Sequence, residues 1–318
     1  MLYLTEADVR RLVDMPTTIG VVEEMFRHLA TAAVVNMPRH RAVGKGLIVH
    51  TLSAAAEYLG CGGWKAYATT KHGAKFHVGL YDAATGETSA LIEADWLGQL
   101  RTGAATGVAS KYLAAPDADA LGLFGAGTQA RTQLAAVVAV RPIRRVVVYG
   151  RNPERLAKFV DEVGREYGIE VSIAPRPAEA AALPIVITAT SSRTPVFDGA
   201  DLRSGAFVAA VGSNWLNKAE VDATAVRRAA RVVCDDVAAC RHEAGDLAAA
   251  VQAGAFDWEQ AVALADVVAG NDPGRNQPAE IVLFKSVGLA AEDVALAAEI
   301  VRRARLQNVG LDLNSLRR

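Results

Sequence analysis

A glycine-rich turn between an apolar run and a helical pattern is the segment of this sequence most suited to chemistry. It reads Gly125-Ala126-Gly127-Thr128-Gln129-Ala130, the G-x-G-x-x-A form of the dinucleotide fingerprint. Gly125 allows the tight turn, Gly127 lets a pyrophosphate approach the backbone, and Ala130 keeps the helix close to the sheet. The helix N-terminus would offer free N–H groups to the phosphates. The sequence therefore predicts a dinucleotide site, against the alternative of a merely tight turn.

The end of the second strand of this pattern bears on which dinucleotide binds. The segment "VVVYGRNPERL" places Arg151 and Asn152 where an NAD-preferring site usually carries a carboxylate for the ribose hydroxyls. A cation without a carboxylate suits a 2′-phosphate, so we expect NAD(P)H as cofactor, with NADPH favoured over NADH. The alternative is that Arg151 stacks on adenine or faces solvent.

Basic residues are concentrated in the first third of the chain. Arg39 and Arg41 are alternate residues of a predicted strand, so their side chains face the same side. Lys65 lies among glycines and aromatics in "GGWKAY", where an idle ammonium is disfavoured. Arg101 is expected to start a helix rich in small residues. A solvated surface charge is the alternative for each residue alone, but together they could bind a carboxylate.

The elements that must position these residues follow two patterns. The first block reads as α+β, with a helix capped by Thr5 and then strands such as "GWKAYATT". From residue 120, apolar runs alternate with helices, which predicts a parallel sheet covered on both faces. After about residue 285 one long amphipathic helix follows, and we expect it to pack back onto the first block. The pattern indicates an α/β protein in which a nucleotide domain is inserted into a split first domain.

Composition excludes several classes of protein. The net charge is −1, so the chain lacks the basic excess that a nucleic-acid partner requires. The three cysteines and six histidines have no metal-ligand spacing, so we expect free thiols in a reducing compartment and no metal. Neither a signal peptide nor a membrane-length apolar run is visible, so we expect a soluble cytoplasmic protein with no membrane partner.

Several longer motifs carry a family resemblance. They are "GWKAY", "ALIEADWLGQLRTGAATGVASKYLA", "GLFGAGTQAR", "VITATSSRTPV", "AVGSN" and "LFKSVGLAAEDVA", in this order along nearly the whole chain. The chain thereby resembles the ornithine cyclodeaminase/mu-crystallin family. The resemblance implies a homodimer that binds NAD(P) and acts on small imino or amino acids. It also implies a Rossmann domain at residues 116–285, inserted into a substrate-binding and dimerisation domain at 1–115 plus 286–318.

The resemblance assigns roles to individual residues. Lys65 matches the substrate-binding lysine, and Arg101 matches the arginine that contacts substrate carboxylate and cofactor; both are our candidate catalytic residues. The upstream substrate arginine falls on Arg39 or Arg41, and hairpin lengths leave the choice open. The predicted cofactor-binding residues are Arg101, Thr102, Gly125, Ala126, Gly127, Thr128, Gln129, Arg151, Asn152, Thr190, Val211, Gly212, Asn214 and Ser286.

One departure from the family pattern changes the expected reaction. Cyclodeaminases carry an aspartate just after the "VG" of the fifth strand, whereas this chain has Asn214 nearby, and Asn cannot act as a base. We therefore expect an oxidoreductase acting on C=N or CH–NH bonds, an NAD(P)H-dependent reductase that converts a small α-imino acid to an amino acid. The alternatives are an ornithine cyclodeaminase-type lyase and a non-catalytic NADP-dependent protein that binds a small ligand.

The cations also suggest a substrate. One carboxylate does not need so many of them, particularly if Lys71 and Lys75 also face the pocket. A second acidic group would use the surplus, which favours iminosuccinate, reduced to aspartate. Lys65 is expected to polarise or protonate the imine nitrogen, with its pKa lowered by neighbouring cations.

Overall fold

The computed structural model describes residues 1–314. The chain divides into two compact units, one formed by Met1–Arg101 together with the residues from Gly288 onward, the other by Thr102–Val287. We call them the split unit and the central unit. Our sequence boundaries lay after residues 115 and 285, whereas the division in the structure falls after residues 101 and 287.

The strands form one sheet in each unit. In chain order the strands are β1 (Leu2–Leu4), β2 (Val34–Gly44), β3 (Leu47–Ala56), β4 (Cys61–Thr70), β5 (Gly73–Asp82), β6 (Thr88–Glu93), β7 (Ala120–Phe124), β8 (Arg145–Tyr149), β9 (Glu170–Ile173), β10 (Ile185–Thr188), β11 (Phe207–Ala210), β12 (Ala229–Cys234), β13 (Ala261–Ala263), β14 (Ile281–Lys285) and β15 (Leu311–Asp312).

The helices connect and cover these strands. They are α1 (Glu6–Leu12), α2 (Met15–Ala30), α3 (Asp95–Leu113), α4 (Thr128–Val140), α5 (Pro153–Tyr167), α6 (Pro177–Ala181), α7 (Ala223–Arg228), α8 (Val237–Glu243), α9 (Gly245–Gln252), α10 (Leu264–Ala269) and α11 (Ala290–Gln307).

The sheet of the split unit runs in the order β15-β1-β6-β5-β4-β3-β2, and β2 to β6 form an antiparallel meander. Helix α11 packs on β2 to β5 and on α2, as the sequence predicted. Its first two turns are buried and include two acidic residues, so this end of the helix lies in the core rather than at the surface. The strand at Cys61–Thr70 and the capping box at Thr5 also agree with the sequence prediction.

The sheet of the central unit runs in the order β13-β12-β14-β11-β10-β7-β8-β9, with every neighbouring pair parallel. The central strands β7, β10, β11 and β14 are buried throughout, as expected when both faces are covered. The chain leaves β7 toward β8 and returns to β10 on the other side. This is a topological switch point, where α/β sheets bind ligands at the carboxyl ends of their strands.

One expectation about α3 was wrong. The sequence placed Arg101 at the start of this helix, whereas the helix begins at Asp95 and Arg101 lies in its second turn. The backbone N–H groups of Asp95 and Trp96 donate to the carboxylate of Glu6. A helix start that is capped by a side chain 89 residues earlier leaves no local capping signal in the sequence.

Candidate active site

A cavity of about 660 Å³ opens at the carboxyl ends of β7, β8 and β10 in the central unit. Its position at the switch point and its size are those of a cofactor pocket. Its lining comprises residues 124–129, 149–152, 155, 156, 189–192 and 194–196.

The glycine turn has the geometry that the sequence predicted. Gly125 has φ +108°, and a Cβ there would lie 2.6 Å from the carbonyl oxygen of Ala189, so the position requires glycine. A Cβ on Gly127 would project into open space. Gly127 is the N-cap of α4 and has no side chain to cap the helix, which leaves its first N–H groups available for a phosphate. The turn therefore fits a pyrophosphate.

The end of β8 supplies cations to the same cavity. Arg151 and Arg155 both line it and are exposed, and the described lining residues include no carboxylate. Asn152 also lines the cavity, but its side-chain oxygen caps α5 by accepting from the N–H of Arg155 at 2.9 Å. Sequence reasoning missed Arg155, although its spacing on the first turn of α5 could have indicated it.

The other predicted cofactor residues lie at different places in the central unit. Thr190 lines the cavity, and Val211, Gly212 and Asn214 follow the carboxyl end of β11. Ser286 is buried, and its hydroxyl donates to Asp235 at 2.9 Å, so that hydroxyl serves the loop itself.

Thr102, another predicted cofactor residue, is also in the central unit. It is buried in α3, and its carbonyl accepts from the side chain of Gln133 on α4 at 3.1 Å. The bond joins the helix that follows the glycine turn to α3.

The split unit brings two of the predicted cations together around an acidic pair on α11. Lys65 is 3% exposed, and its ammonium donates to Oδ1 of Asp293 at 2.8 Å. Arg101 donates from Nε to the same oxygen at 3.1 Å and from Nη1 to Glu292 at 2.8 Å. Three elements, β4, α3 and α11, thus meet in one buried ionic cluster.

Burial has the largest effect on the ammonium of Lys65. The pKa of this group is lowered to about 8; burial is the largest cause, and the charges of Arg101 and Arg39 act in the same direction. The carboxylate of Asp293 acts in the opposite direction. We expected neighbouring cations to be the cause, and in the structure they come second to burial.

Two glycines leave room for this cluster. A Cβ on Gly98 would lie 2.9 Å from the Lys65 ammonium. Gly288 has φ +82°, and a Cβ there would lie 2.4 Å from a guanidinium nitrogen of Arg101. Any side chain at Gly288 would therefore displace Arg101 as well as strain the backbone.

The two candidate substrate arginines, Arg39 and Arg41, have different surroundings in the structure. Arg39 is buried next to a bulge in β2, and its guanidinium contacts the carbonyl of Gly288 at 3.4 Å. Arg41 pairs with His50 across β2 and β3. Burial is the largest cause that lowers the pKa of His50 to about 4, followed by the charges of Arg41 and Arg39, so His50 is neutral near pH 7.

An aromatic row lies beside these cations. Arg41, His50, Tyr67 and Phe76 are partners in register across β2 to β5. The rings of His50 and Tyr67 stack at 4.1 Å, those of Tyr67 and Phe76 lie 4.8 Å apart, and the Lys65 ammonium is 5.4 Å from the Phe76 ring. A flat apolar wall with cations at its edge can hold an acid with a planar body.

Two other cations do not join this set. Lys71 lies in the turn between β4 and β5 and Lys75 lies on β5, and both are exposed. The expectation that they face the pocket with Lys65 finds no support here, because Lys71 is in an exposed turn and Lys75 is next to Phe76 on β5, where consecutive side chains point to opposite faces.

Sequence reasoning missed the acidic pair that organises the cluster. Glu292 and Asp293 stand in "GLAAEDVALAAEIV", where two adjacent acids interrupt an apolar run. Acids that a helix buries almost always have cationic partners, so this interruption was a usable signal.

Residues 1–314 contain neither a candidate metal site nor a candidate membrane-spanning helix. Within that range no group of three or more potential ligands could hold a metal ion. Cys61, Cys234 and Cys240 are free thiols, and the latter two are buried. None of the helices formed by these residues is long and apolar enough to span a bilayer.

Several solved proteins share this architecture. A Δ1-pyrroline-2-carboxylate reductase of Thermococcus litoralis, solved with NADH and L-proline, is 33% identical with a TM-score of 0.94, covering 98% of this chain and 100% of that one. An archaeal alanine dehydrogenase dimer with bound NAD is 31% identical with a TM-score of 0.93, covering 98% of each chain.

A further relative is the iminosuccinate reductase of Paracoccus denitrificans, 30% identical over 323 residues, which are 98% of this chain and 99% of that protein. The model of the ornithine cyclodeaminase/mu-crystallin family matches residues 1–308. This chain, with its parallel dinucleotide-type sheet and its split α+β unit, belongs to that family.

Proposed function

We propose that this protein is an NAD(P)H-dependent reductase that converts a small α-imino acid to the amino acid. It is an oxidoreductase acting on the C=N or CH–NH bond. The observation that carries the proposal is the Lys65 ammonium, buried beside Arg101 with a pKa of about 8. An amine with that pKa can give up a proton near neutral pH, which is what an imine nitrogen needs on reduction.

The residues of the buried cluster divide the work. Arg101 and Arg39 hold the substrate α-carboxylate, since guanidinium groups match carboxylates bidentately. Lys65 donates its proton to the imine nitrogen as the C=N bond becomes CH–NH. Asp293 keeps the side chain of Lys65 in place, since its carboxylate accepts a hydrogen bond from the lysine nitrogen. When bound, the nicotinamide supplies the hydride that the imine carbon receives.

The central unit holds the cofactor. Gly125 to Gln129 carry the pyrophosphate at the N-terminus of α4. We propose a preference for NADPH over NADH, because Arg151 and Arg155 supply positive charge at the end of β8, where a ribose-binding carboxylate would favour NADH.

The substrate that we propose is iminosuccinate, with aspartate as product. The support for this substrate is Arg41, which lies two residues after Arg39 on β2 and opposite neutral His50 on β3. Arg41 and His50 can bind a second carboxylate while Arg39 and Arg101 hold the first. The iminosuccinate reductase of Paracoccus denitrificans is a relative over the full chain.

A second candidate is a cyclic imine such as Δ1-pyrroline-2-carboxylate. The observation that favours it is the ring wall of Tyr67 and Phe76, which suits a flat five-membered ring better than an extended diacid. The two candidates differ in whether Arg41 is needed.

The remaining alternatives are weaker. Asn214 cannot supply the base that a cyclodeaminase requires. A non-catalytic binding protein has no need of an ammonium with a lowered pKa, since a plain cation binds a carboxylate equally well.

We also propose that the protein acts as a homodimer in which residues 1–115 and 286–318 build the interface and bind substrate. The sheet face opposite α11 is exposed and largely apolar, with Val35 and Tyr81 at the two ends of a row through Ala55 and Gly62. A face of this kind suits a second copy of the same sheet. A cytoplasmic location stays a prediction.

Oxidation of NADH and NADPH tests the reaction. The substrates are oxaloacetate with ammonia and, separately, Δ1-pyrroline-2-carboxylate, with ornithine and NAD⁺ as the test for the lyase. We expect turnover that Lys65→Ala reduces about 10²–10⁴-fold, the usual contribution of a proton donor. If iminosuccinate is the substrate, the unaltered protein should turn over oxaloacetate with ammonia, and Arg41→Leu should abolish that turnover. If the cyclic imine is the substrate, the unaltered protein should prefer Δ1-pyrroline-2-carboxylate, and Arg41→Leu should leave its turnover in place. Ammonia and proline from ornithine would overturn the proposal.

A further inference from the structure

A buried carboxylate in the central unit joins the two loops that follow β10 and β11. Glu220 is fully buried, eight residues after Gly212. One of its oxygens accepts from the backbone N–H of Thr190 at 2.7 Å and from the Thr190 hydroxyl at 2.6 Å. The other accepts from the Thr188 hydroxyl at 2.9 Å and from the N–H of Gly212 at 2.6 Å. The carboxylate of Glu220 is thus the acceptor for all four of these hydrogen-bond donors.

A second buried pair fixes Glu220 itself. Oδ1 of Asp246 on α9 accepts from the backbone N–H groups of Glu220 and Val221. Its other oxygen pairs with the ammonium of Lys285, at the end of β14, at 2.6 Å. That ammonium also donates to the carbonyl of Ser213 at 2.9 Å. Glu220, Asp246 and Lys285 form a buried brace across the ends of three neighbouring strands.

The brace is costly to bury, which indicates that it serves more than packing. Two carboxylates and one ammonium, all without solvent contact, lose their hydration on folding. A protein in which apolar residues of the same volume replace such a group is often equally stable. Desolvation accordingly raises the pKa of Glu220, against the opposing effects of Lys285 and Thr190. In some proteins, buried charges of this kind fix the geometry of particular groups.

The groups that the brace fixes follow β10 and β11, on the opposite side of the switch point from β8. β7 and β8 carry the pyrophosphate turn and Arg151, whereas β10 and β11 lie on the other side of the reversal, where the second half of a dinucleotide binds. Thr190 lines the cavity at this side. Gly212 lies so close that a Cβ there would be 2.4 Å from Glu220.

We propose that Glu220, held by Asp246 and Lys285, is a positioning residue that shapes the nicotinamide half of the cofactor site through the loops at Thr190 and Gly212. It is buried and does not touch the cofactor. This inference rests on the proposed function, because it assumes that the cavity binds a nicotinamide dinucleotide.

Glu220→Gln tests the inference with minimal change in volume. Whichever way the new amide is oriented, its NH₂ group faces a backbone N–H, that of Thr190 or that of Gly212, so one loop is released. Binding is measured by titration calorimetry with NADH and NADPH, and with ADP-ribose and 2′-phospho-ADP-ribose, which lack nicotinamide. The thermal midpoint reports whether the fold is intact.

We expect Glu220→Gln to weaken binding of the full dinucleotides about tenfold, the effect of one buried hydrogen bond to a charged group, and that of the two truncated ligands by less than about twofold. Asp222→Asn is the matched control. Asp222 also accepts two backbone N–H bonds, from Gly199 and Ala225, but none from the loops at Thr190 and Gly212. It should leave all four affinities unchanged.

Equal weakening of full and truncated ligands, or no weakening, would overturn the inference while leaving the proposed function intact. If the unaltered protein binds none of the four ligands, the proposed function fails and the inference fails with it. Should Glu220→Gln not fold, Thr188→Val removes only one hydroxyl donor to Glu220 and retains the shape of the residue. We then expect the same selective loss, smaller in size, and its absence would count against the brace.

Discussion

At the scale of single residues, the structure divides the cations of the split unit into buried, paired residues and exposed ones. Lys65 and Arg101 share one oxygen of Asp293, whereas Lys71 and Lys75 are exposed. The sequence predicted Lys65 because an ammonium among aromatic and glycine residues is rarely solvated. It could not separate the buried from the exposed cations, because that depends on the hairpin bulge and on which strand residues α11 covers.

The proposed role of Lys65 as proton donor predicts the pH dependence of the reaction. An ammonium can donate a proton only while it is charged, so kcat/KM should be constant at lower pH and fall as the pH rises through about 8. Asp293 raises this pKa, and Asp293→Asn should therefore move the alkaline limb to lower pH. The measurement is a pH profile with a preformed imine, which keeps ammonia out of the titration.

The exposed carboxylate of Asp161 supplies the control, since Asp161→Asn should leave the profile in place. An alkaline limb at the same pH in Asp293→Asn would mean that Lys65 is not the proton donor.

Cofactor choice should respond to a single arginine. Arg151→Ala should raise the KM for NADPH about tenfold or more and leave that for NADH within about threefold, because a charge-assisted bond to phosphate is worth about 1.5–3 kcal/mol. Initial rates with both cofactors measure this. Arg165→Ala, at an exposed position on α5, should change neither constant. Equal effects on NADH and NADPH would contradict the assignment of Arg151 to a 2′-phosphate.

At the scale of elements, local patterns predicted most of the fold. The alternation of apolar runs with helices from residue 120 predicted the parallel sheet that contains β7 to β12, and the pattern of the first block predicted strands such as β4. Strands β13 and β14 were missed, because the segment before β14 is rich in Gly, Asn and Pro and carries no long helix to complete a βα unit. The charged end of β14, Lys285, was also missed, since its partners come from distant segments.

The start of α3 shows what a distant cap contributes. Glu6→Gln should destabilise the protein by about 1–2 kcal/mol, the usual value of a helix cap, since Glu6 accepts from two N–H groups at the start of the helix. Urea unfolding measures the free energy. Glu87→Gln, at an exposed position in the turn before β6, should cost less than about 0.5 kcal/mol. Equal midpoints for the two variants would show that the cap contributes nothing.

At the scale of the whole molecule, the exposed face of the split unit is the feature that the sequence only implied through family resemblance. No periodicity distinguishes a sheet face that meets a partner from one that meets solvent, because both alternate with a buried face. The structure makes the face visible through its composition: Val35, Ala55 and Tyr81 are exposed on a sheet whose other side is covered by helices.

A charge in the middle of that face tests the dimer. In the monomer the side chain of Ala55→Glu would point to water, whereas in the dimer it would be buried without a partner, at a cost of several kcal/mol. Sedimentation should therefore give about half the mass of the unaltered protein. The same charge at Leu306, an exposed residue near the end of α11, should leave the mass unchanged. Identical masses for both variants would exclude this face as the interface.

The split of the first unit across the sequence has a consequence for how the protein is made. The sheet carrying Lys65 and the helix turn carrying Arg101 are synthesised before the central unit, whereas their partners Glu292 and Asp293 are synthesised after it. Until then both cations lack the carboxylates that balance them, and the sheet lacks α11. The central unit is complete well before that. The nascent chain therefore passes through a stage in which the Rossmann-type unit can fold while the buried ionic cluster of the split unit does not yet exist.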